Sequence, residues 1–323
     1  MTSQDVATPT KGRRIPFRVE YCPRLVEDVV LLAMRNHAEE GRFRRERDRL
    51  YEIQDPEEQE AGFREFHGNW FTRMALHRPI QQALDERPII AAAIGRCLAA
   101  AAKTRKDEGA ELFVAPPAEG VDEVARQVIG LQIRPQSFLE PDALLALLRH
   151  EFLHITYMLD PSFGYEPSLL HPKAKRTHMP LLQTRYRALW DAMIDGQLVL
   201  EEKAPPTLRE HRLRDFRRVF PMLEEQTEEA FARFFDKPFH THSELIACAH
   251  TPEKMLPHSV QGSRRSVHCP LCGFATYAFK SDLESLTRRV VSRITNDFPA
   301  WRPEQGLCEQ CAELYQSQAA SCA

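Results

Sequence analysis

Residues 147 to 160 read LLRHEFLHITYMLD, two histidines four positions apart with a glutamate directly after the first. On an α-helix, positions i and i+4 share a face one turn apart, so His150 and His154 can turn imidazole nitrogens toward a single zinc ion. Glu151 then stands beside the ion without binding it, placed to take a proton from a metal-bound water and pass it to a leaving amine. The chemistry implied is metal-assisted hydrolysis. A second ligand set lies near the C-terminus, where HCPLCGF (268 to 274) and LCEQC (307 to 311) give Cys-x2-Cys, a 35-residue spacer and Cys-x2-Cys. Thiolates from Cys269, Cys272, Cys308 and Cys311 would close a tetrahedral zinc site, which folds the tail rather than reacting.

A catalytic zinc takes three protein ligands and leaves the fourth position to water. Asp191 is the preferred third ligand, because Asp191 and Asp195 stand four apart within the apolar LWDAMIDGQL. One carboxylate can ligate while the other holds the outer nitrogen of a ligating histidine, and two acids on such a helix are costly to bury without partners of this kind. Asp160 lies ten residues after His150, the metzincin spacing, with Tyr157 where that pattern has glycine. His171 lies at a spacing a little longer than SprT and Spartan-type proteases use, with Pro172 where glycine is usual, and His178 is a further variant of the same idea.

These residues need elements to carry them. ELFVAP (111 to 116) and RQVIGLQIRP (126 to 135) alternate in polarity and are rich in β-branched residues, which predicts two strands of a small sheet. EPDALLALLRHEFLHITYML follows, with Pro141 suited to a first helical turn and leucines at 144, 145, 147 and 148, so the histidines fall on a helix. Residues 160 to 180 carry four prolines and a glycine and predict a long loop. A second helix, LLQTRYRALWDAMIDGQLVLEE, brings the acid pair, with further helices around 207 to 235 and 242 to 249. Upstream, Pro23 to about Lys103 reads as helical, including PIIAAAIGRCLAAAA (88 to 102) as a buried helix.

The 323 residues suggest a lead-in at 1 to 20, a helical main domain at 21 to 260 and a small module at 261 to 323. The expected class is α+β, mostly helical. A net charge of −3 gives no global basic field to draw the chain to nucleic acid. There is no signal-peptide h-region and no apolar run of the ~20 residues a membrane span requires, so the expectation is a cytoplasmic protein with reduced thiols. Cys22, Cys97, Cys248 and Cys322 are then free thiols.

HEFLH followed by a second helix with an acid pair four apart resembles the gluzincin branch of zincin metallopeptidases, over about residues 110 to 200. The resemblance implies a zincin-like domain with a small antiparallel sheet before the HExxH helix. It implies Glu151 as general base, Asp191 where the family has a glutamate ligand, and Asp195 in support. The strand VIGLQI becomes the sheet edge on which an extended peptide pairs. The group that steadies the oxyanion stays open among Tyr157, Tyr165, His171 and His178.

The tail resembles a zinc ribbon or treble clef, with TYAF as a strand, CAELYQSQ as a helix and DLESLTRRVVSRITNDF as a helix within the spacer. The expectation is thus a zinc metallopeptidase with one catalytic and one structural zinc, a peptide or protein substrate, and no membrane partner. Two alternatives stand beside it. One is a nucleic-acid-associated, SprT/Spartan-like protease whose basic run LREHRLRDFRRVF (208 to 220) touches the polyanion. The other is a non-catalytic binding protein that zinc only stabilises.

Overall fold

The structure is a computed structural model that describes residues 17–116, 123–167, 179–256, 267–273, 275–276, 279–280 and 286–320. The chain forms two compact units, Met1–Leu159 and Asp160–Ala323. The architecture is mostly helical α+β with a small mixed sheet.

In the first unit β1 (Arg18–Tyr21) leads into α1 (Pro23–Ala33), α2 (Glu40–Asp48), α3 (Pro56–Arg73), α4 (Arg78–Asp85) and α5 (Pro88–Ala93). Then come β2 (Arg96–Ala101), β3 (Gly109–Val114), the single turn α6 (Glu123–Arg126), β4 (Gln127–Ile133) and α7 (Pro141–Leu159). The strands lie in the order β1-β2-β4-β3. β1 and β4 both run parallel to β2, and β3 alone runs antiparallel, against β4. The expected antiparallel sheet is therefore mixed, because the helical excursion from α1 to α5 returns the chain to the end at which β1 began, as a parallel neighbour requires. The expected lead-in also ends inside the fold, since Arg18–Tyr21 pairs with Arg96–Ala99.

Residues 88 to 102 are not one helix. After α5, Ile94 turns extended and the chain continues as β2, whose Cys97 and Ala99 face the core while Arg96 and Leu98 face outward. Neighbours on both sides take up the backbone of β2, and this pairing overrides the helical preference of its alanines. In β4 the same alternation buries Ile129, Leu131 and Ile133. VIGLQI is thus an inner strand between β2 and β3, and the edge assigned to it belongs to β3.

α7 begins at Pro141 and buries Leu144, Leu148, Phe152 and Ile155, a stripe at helical spacing. Burying each of these contributes about 1.5–3 kcal/mol, against ~1 kcal/mol for an ordinary hydrogen bond. Packing therefore fixes the rotation of α7 about its axis, and with it the direction of its polar residues. Arg149 forks onto Glu86 at the end of α4, at 2.7 to 3.2 Å, and fixes the helix lengthwise. Glu108 accepts from the Arg134 amide at 3.0 Å and from Ser137 Oγ at 2.5 Å, pinning the start of β3 beside the end of β4.

The second unit packs α8 (Met179–Leu200) against α9 (Leu208–Val219), α10 (Thr227–Phe235) and α11 (His242–His250). Its buried side chains include Leu189, Met193, Ile194, Phe216, Phe231 and Phe234. A Cβ on Gly196 would lie 2.0 Å from the Phe235 carbonyl oxygen, so the close approach of α8 to α10 depends on that glycine. The tail pairs β5 (Val267–His268) with β6 (Ala275–Thr276) and β7 (Phe279–Lys280) with β8 (Leu307–Cys308). Its helices are α12 (Arg288–Asp297), within the spacer, and α13 (Glu309–Ala320), which opens at the second cysteine pair. Leu271, Leu286, Val290, Ile294, Trp301 and Tyr315 form its apolar core together with the cysteines, and Leu181 of α8 packs on it.

Candidate functional site

His150 and His154 meet on one face of α7, Nε2 to Nε2 at 3.2 Å, with ring centroids 4.8 Å apart. Two nitrogens bound to one tetrahedral zinc at ~2.05 Å stand about 3.3 Å apart. The helix alone therefore brings the imidazoles to the separation that a shared ion requires. Both rings and Glu151 are half-buried.

Glu151 is held from the sheet. Its Oε2 accepts the Ala110 amide of β3 at 2.9 Å. In β3 the Ala110 amide points to Glu151, while the Ala115 amide just beyond the strand reaches the Arg126 carbonyl at 2.9 Å. Even-numbered residues of β3 therefore direct their backbone away from β4. Leu112 and Val114 line an edge that pairs with no other strand among the described residues.

Asp191 and Asp195 lie on α8 in the second unit, where Arg212 of α9 reaches both. Its Nη1 is 3.3 Å from Asp191 Oδ2, and its Nε and Nη2 lie 2.7 and 2.5 Å from Asp195 Oδ2. Asp195 is buried, at 2% exposed. The acid pair thus carries an arginine that the sequence offered only as part of the basic run 208 to 220. The available signal was the acid pair itself, since two buried carboxylates demand a cation from a neighbouring helix. Of the other four arginines of that run, Arg209 pairs with Asp236, Arg217 with Glu228 and Arg218 with Asp215, while Arg214 meets the His211 ring.

Asp160 accepts the Ser162 amide at 2.8 Å and caps the turn that opens the second unit. Tyr165 packs against the Trp190 and His242 rings, and burial raises its hydroxyl pKa. His171 and His178 lie outside the described residues.

The four tail cysteines converge as their spacing predicts. Their sulfurs lie within 4.8 Å of one another, with Cys269–Cys311 at 3.9 Å and Cys272–Cys308 at 3.6 Å. Zinc–sulfur bonds of ~2.3 Å give a tetrahedral edge of about 3.8 Å, so this buried group fits a metal ion such as zinc. Gly273, at φ +68°, takes the left-handed turn that the first knuckle needs. The Cys311 amide points to Cys308 Sγ at 3.4 Å. Arg185 of α8, 3% exposed, donates to Gln310 beside Cys311 and to the Ala249 carbonyl. Burial pulls the Arg185 pKa down, and the nearby Cys272 and Cys308 sulfurs oppose that pull. Burial pushes the Cys97 thiol up to about 12, as expected of an inert core residue.

No helix among the described residues is long and apolar enough to cross a membrane. No protein-family model, curated protein or solved structure matches the chain.

Proposed function

We propose that the chain is a zinc-dependent hydrolase, a metallopeptidase, in which His150 and His154 hold the reactive ion and Glu151 is the general base. The observation that carries this reading is the 3.2 Å approach of the two Nε2 atoms beside a carboxylate anchored at 2.9 Å to the strand edge. Asp191 is the third ligand in this reading, and the four tail cysteines hold a second, structural zinc. His150, His154 and Asp191 would hold the first zinc, which when bound would supply an acidified water and a Lewis acid for the scissile carbonyl.

The protein's own groups then divide the work. Ala110 fixes Glu151 through Oε2, so Oε1 is the oxygen that takes a proton from water and returns it to the leaving amine. The Leu112 and Val114 backbone groups offer an extended peptide a strand to pair with, as β-augmentation requires. Phe113 and Val114, 53% and 60% exposed, give that edge an apolar end.

One observation favours a second reading. A separation of 3.2 Å is also that of a hydrogen bond between two imidazoles, which suits a non-catalytic binding protein held together by its tail metal. Metal analysis separates the two. A hydrolase carries two zinc ions per chain, one removed by chelator without unfolding. A single zinc per chain, lost only on unfolding, overturns the proposal. The Spartan-like alternative loses support from the ion pairs of the 208 to 220 run, and absence of a DNA shift at low salt removes it.

A further inference from the structure

We infer that Arg212 is a positioning residue for the reactive metal site, orienting Asp191 for coordination from an anchor on Asp195. This rests on the reading of Asp191 as third ligand.

The geometry is asymmetric. Arg212 places two nitrogens on Asp195 Oδ2, at 2.5 and 2.7 Å, and one on Asp191 Oδ2, at 3.3 Å. The tight end is at Asp195, whose side chain is 3% exposed, and the looser end is at Asp191, 18% exposed. A guanidinium is planar, so fixing its Nε edge on one carboxylate fixes where its other nitrogen points. Arg212 therefore transmits the rigid position of Asp195 to Asp191 through the Oδ2 atoms of the two carboxylates.

Charge gives a second reason. Two carboxylates one turn apart repel, and burial strengthens the repulsion. One arginine among two aspartates offsets that repulsion and leaves a net charge of −1, which still attracts a dication. A lysine retains that charge, but its single ammonium cannot reproduce a fork across two carboxylates.

The test is zinc affinity in the full chain, read by chelator competition and by the absorption spectrum of a cobalt-substituted site. Arg212→Lys is expected to weaken the chelator-accessible site by about 10- to 100-fold, the range for losing a group that orients a metal ligand. The tail zinc should stay at one per chain in the same sample, which reports an intact fold. Asp195→Ala removes the anchor while leaving Arg212 in place. It should produce a similar loss, and the double variant should be no weaker than the worse single, because both break one chain of contacts.

If Arg212 only neutralises buried charge, folded Arg212→Lys binds zinc and cobalt as the wild type does, and the inference is overturned. If Arg212→Lys does not fold, a wild-type affinity in Asp195→Ala overturns it. A wild-type protein that binds metal at the tail alone overturns the reading of Asp191 itself, a different result visible before any variant is made.

Discussion

The Ala110 amide and Glu151 Oε2, 2.9 Å apart, join the carboxylate that follows the first histidine to the strand beside it. The general base of the proposed reaction is thus aimed by backbone, which no side-chain substitution in β3 short of proline at 110 deletes. The same strand that would receive a substrate fixes the group that would act on it.

Replacing Glu151 by glutamine keeps an oxygen to accept the Ala110 amide, so thermal stability and both zinc ions should persist. Hydrolysis of a peptide substrate should fall by roughly 10²- to 10⁴-fold, the usual contribution of a general base. Glu151→Ala should in addition lose about 1 kcal/mol of stability, because the amide loses its acceptor. Equal activity in Glu151→Gln and wild type would remove Glu151 from the mechanism.

Two glycines separate a backbone constraint from a side-chain one. Gly196→Ala puts a methyl 2.0 Å from the Phe235 carbonyl oxygen, and neither helix can yield without unpacking. Denaturant unfolding should show a loss of ~3 kcal/mol or more. Gly130→Ala meets only the Phe113 ring, at 2.6 Å. That ring is 53% exposed and can swing away, so the change should stay within about 0.5 kcal/mol.

Cys272→Ser should release the tail metal and leave Arg185 buried beside uncharged sulfur. Weakening the charge pairing of a buried arginine is destabilising, by at most about 3–5 kcal/mol. Hydrogen exchange should therefore lose protection in α12 and α13 and also in the first half of α8, where Leu181 and Arg185 sit. Protection lost in the tail alone would show that Arg185 does not couple the two.

His67, 4% exposed among Phe43, Phe63 and Phe66, has Nε2 without a hydrogen-bond partner. Burial lowers its pKa below the ordinary 6.5, with Glu27 opposing and Arg47 assisting. The unfolded chain therefore binds the proton more readily. The stability tied to neutral His67 is present above about pH 6.5 and is lost as pH falls through the lowered folded value. His67→Phe should narrow the drop in melting temperature between about pH 7 and about pH 5; an unchanged drop would place the acid sensitivity elsewhere.

Local pattern made part of the molecule legible. The alternation of Ile129, Leu131 and Ile133 announces a half-buried strand, the stripe through Leu144, Leu148 and Phe152 announces α7, and the cysteine spacing announces the knuckles. What remained hidden is set by partners distant in sequence. Alanines at 99 to 101 read as helix until β1 and β4 flank them. An edge strand is defined by the neighbour it lacks, so β3 and β4 could not be ranked from their residues. Arg212 is one arginine among five in α9, and only the packing of α9 on α8 distinguishes it from those at the surface.

The open side of β3 has a consequence beyond catalysis. Hydrogen bonding along a strand does not discriminate, and Phe113 and Val114 stand exposed at its end, so a second copy can add there as readily as any ligand and seed stacking into aggregates. Glu111, exposed on the same strand, is the gatekeeping charge against that outcome. Concentrated preparations of a Glu111→Val variant should turn turbid on storage while the parent stays clear.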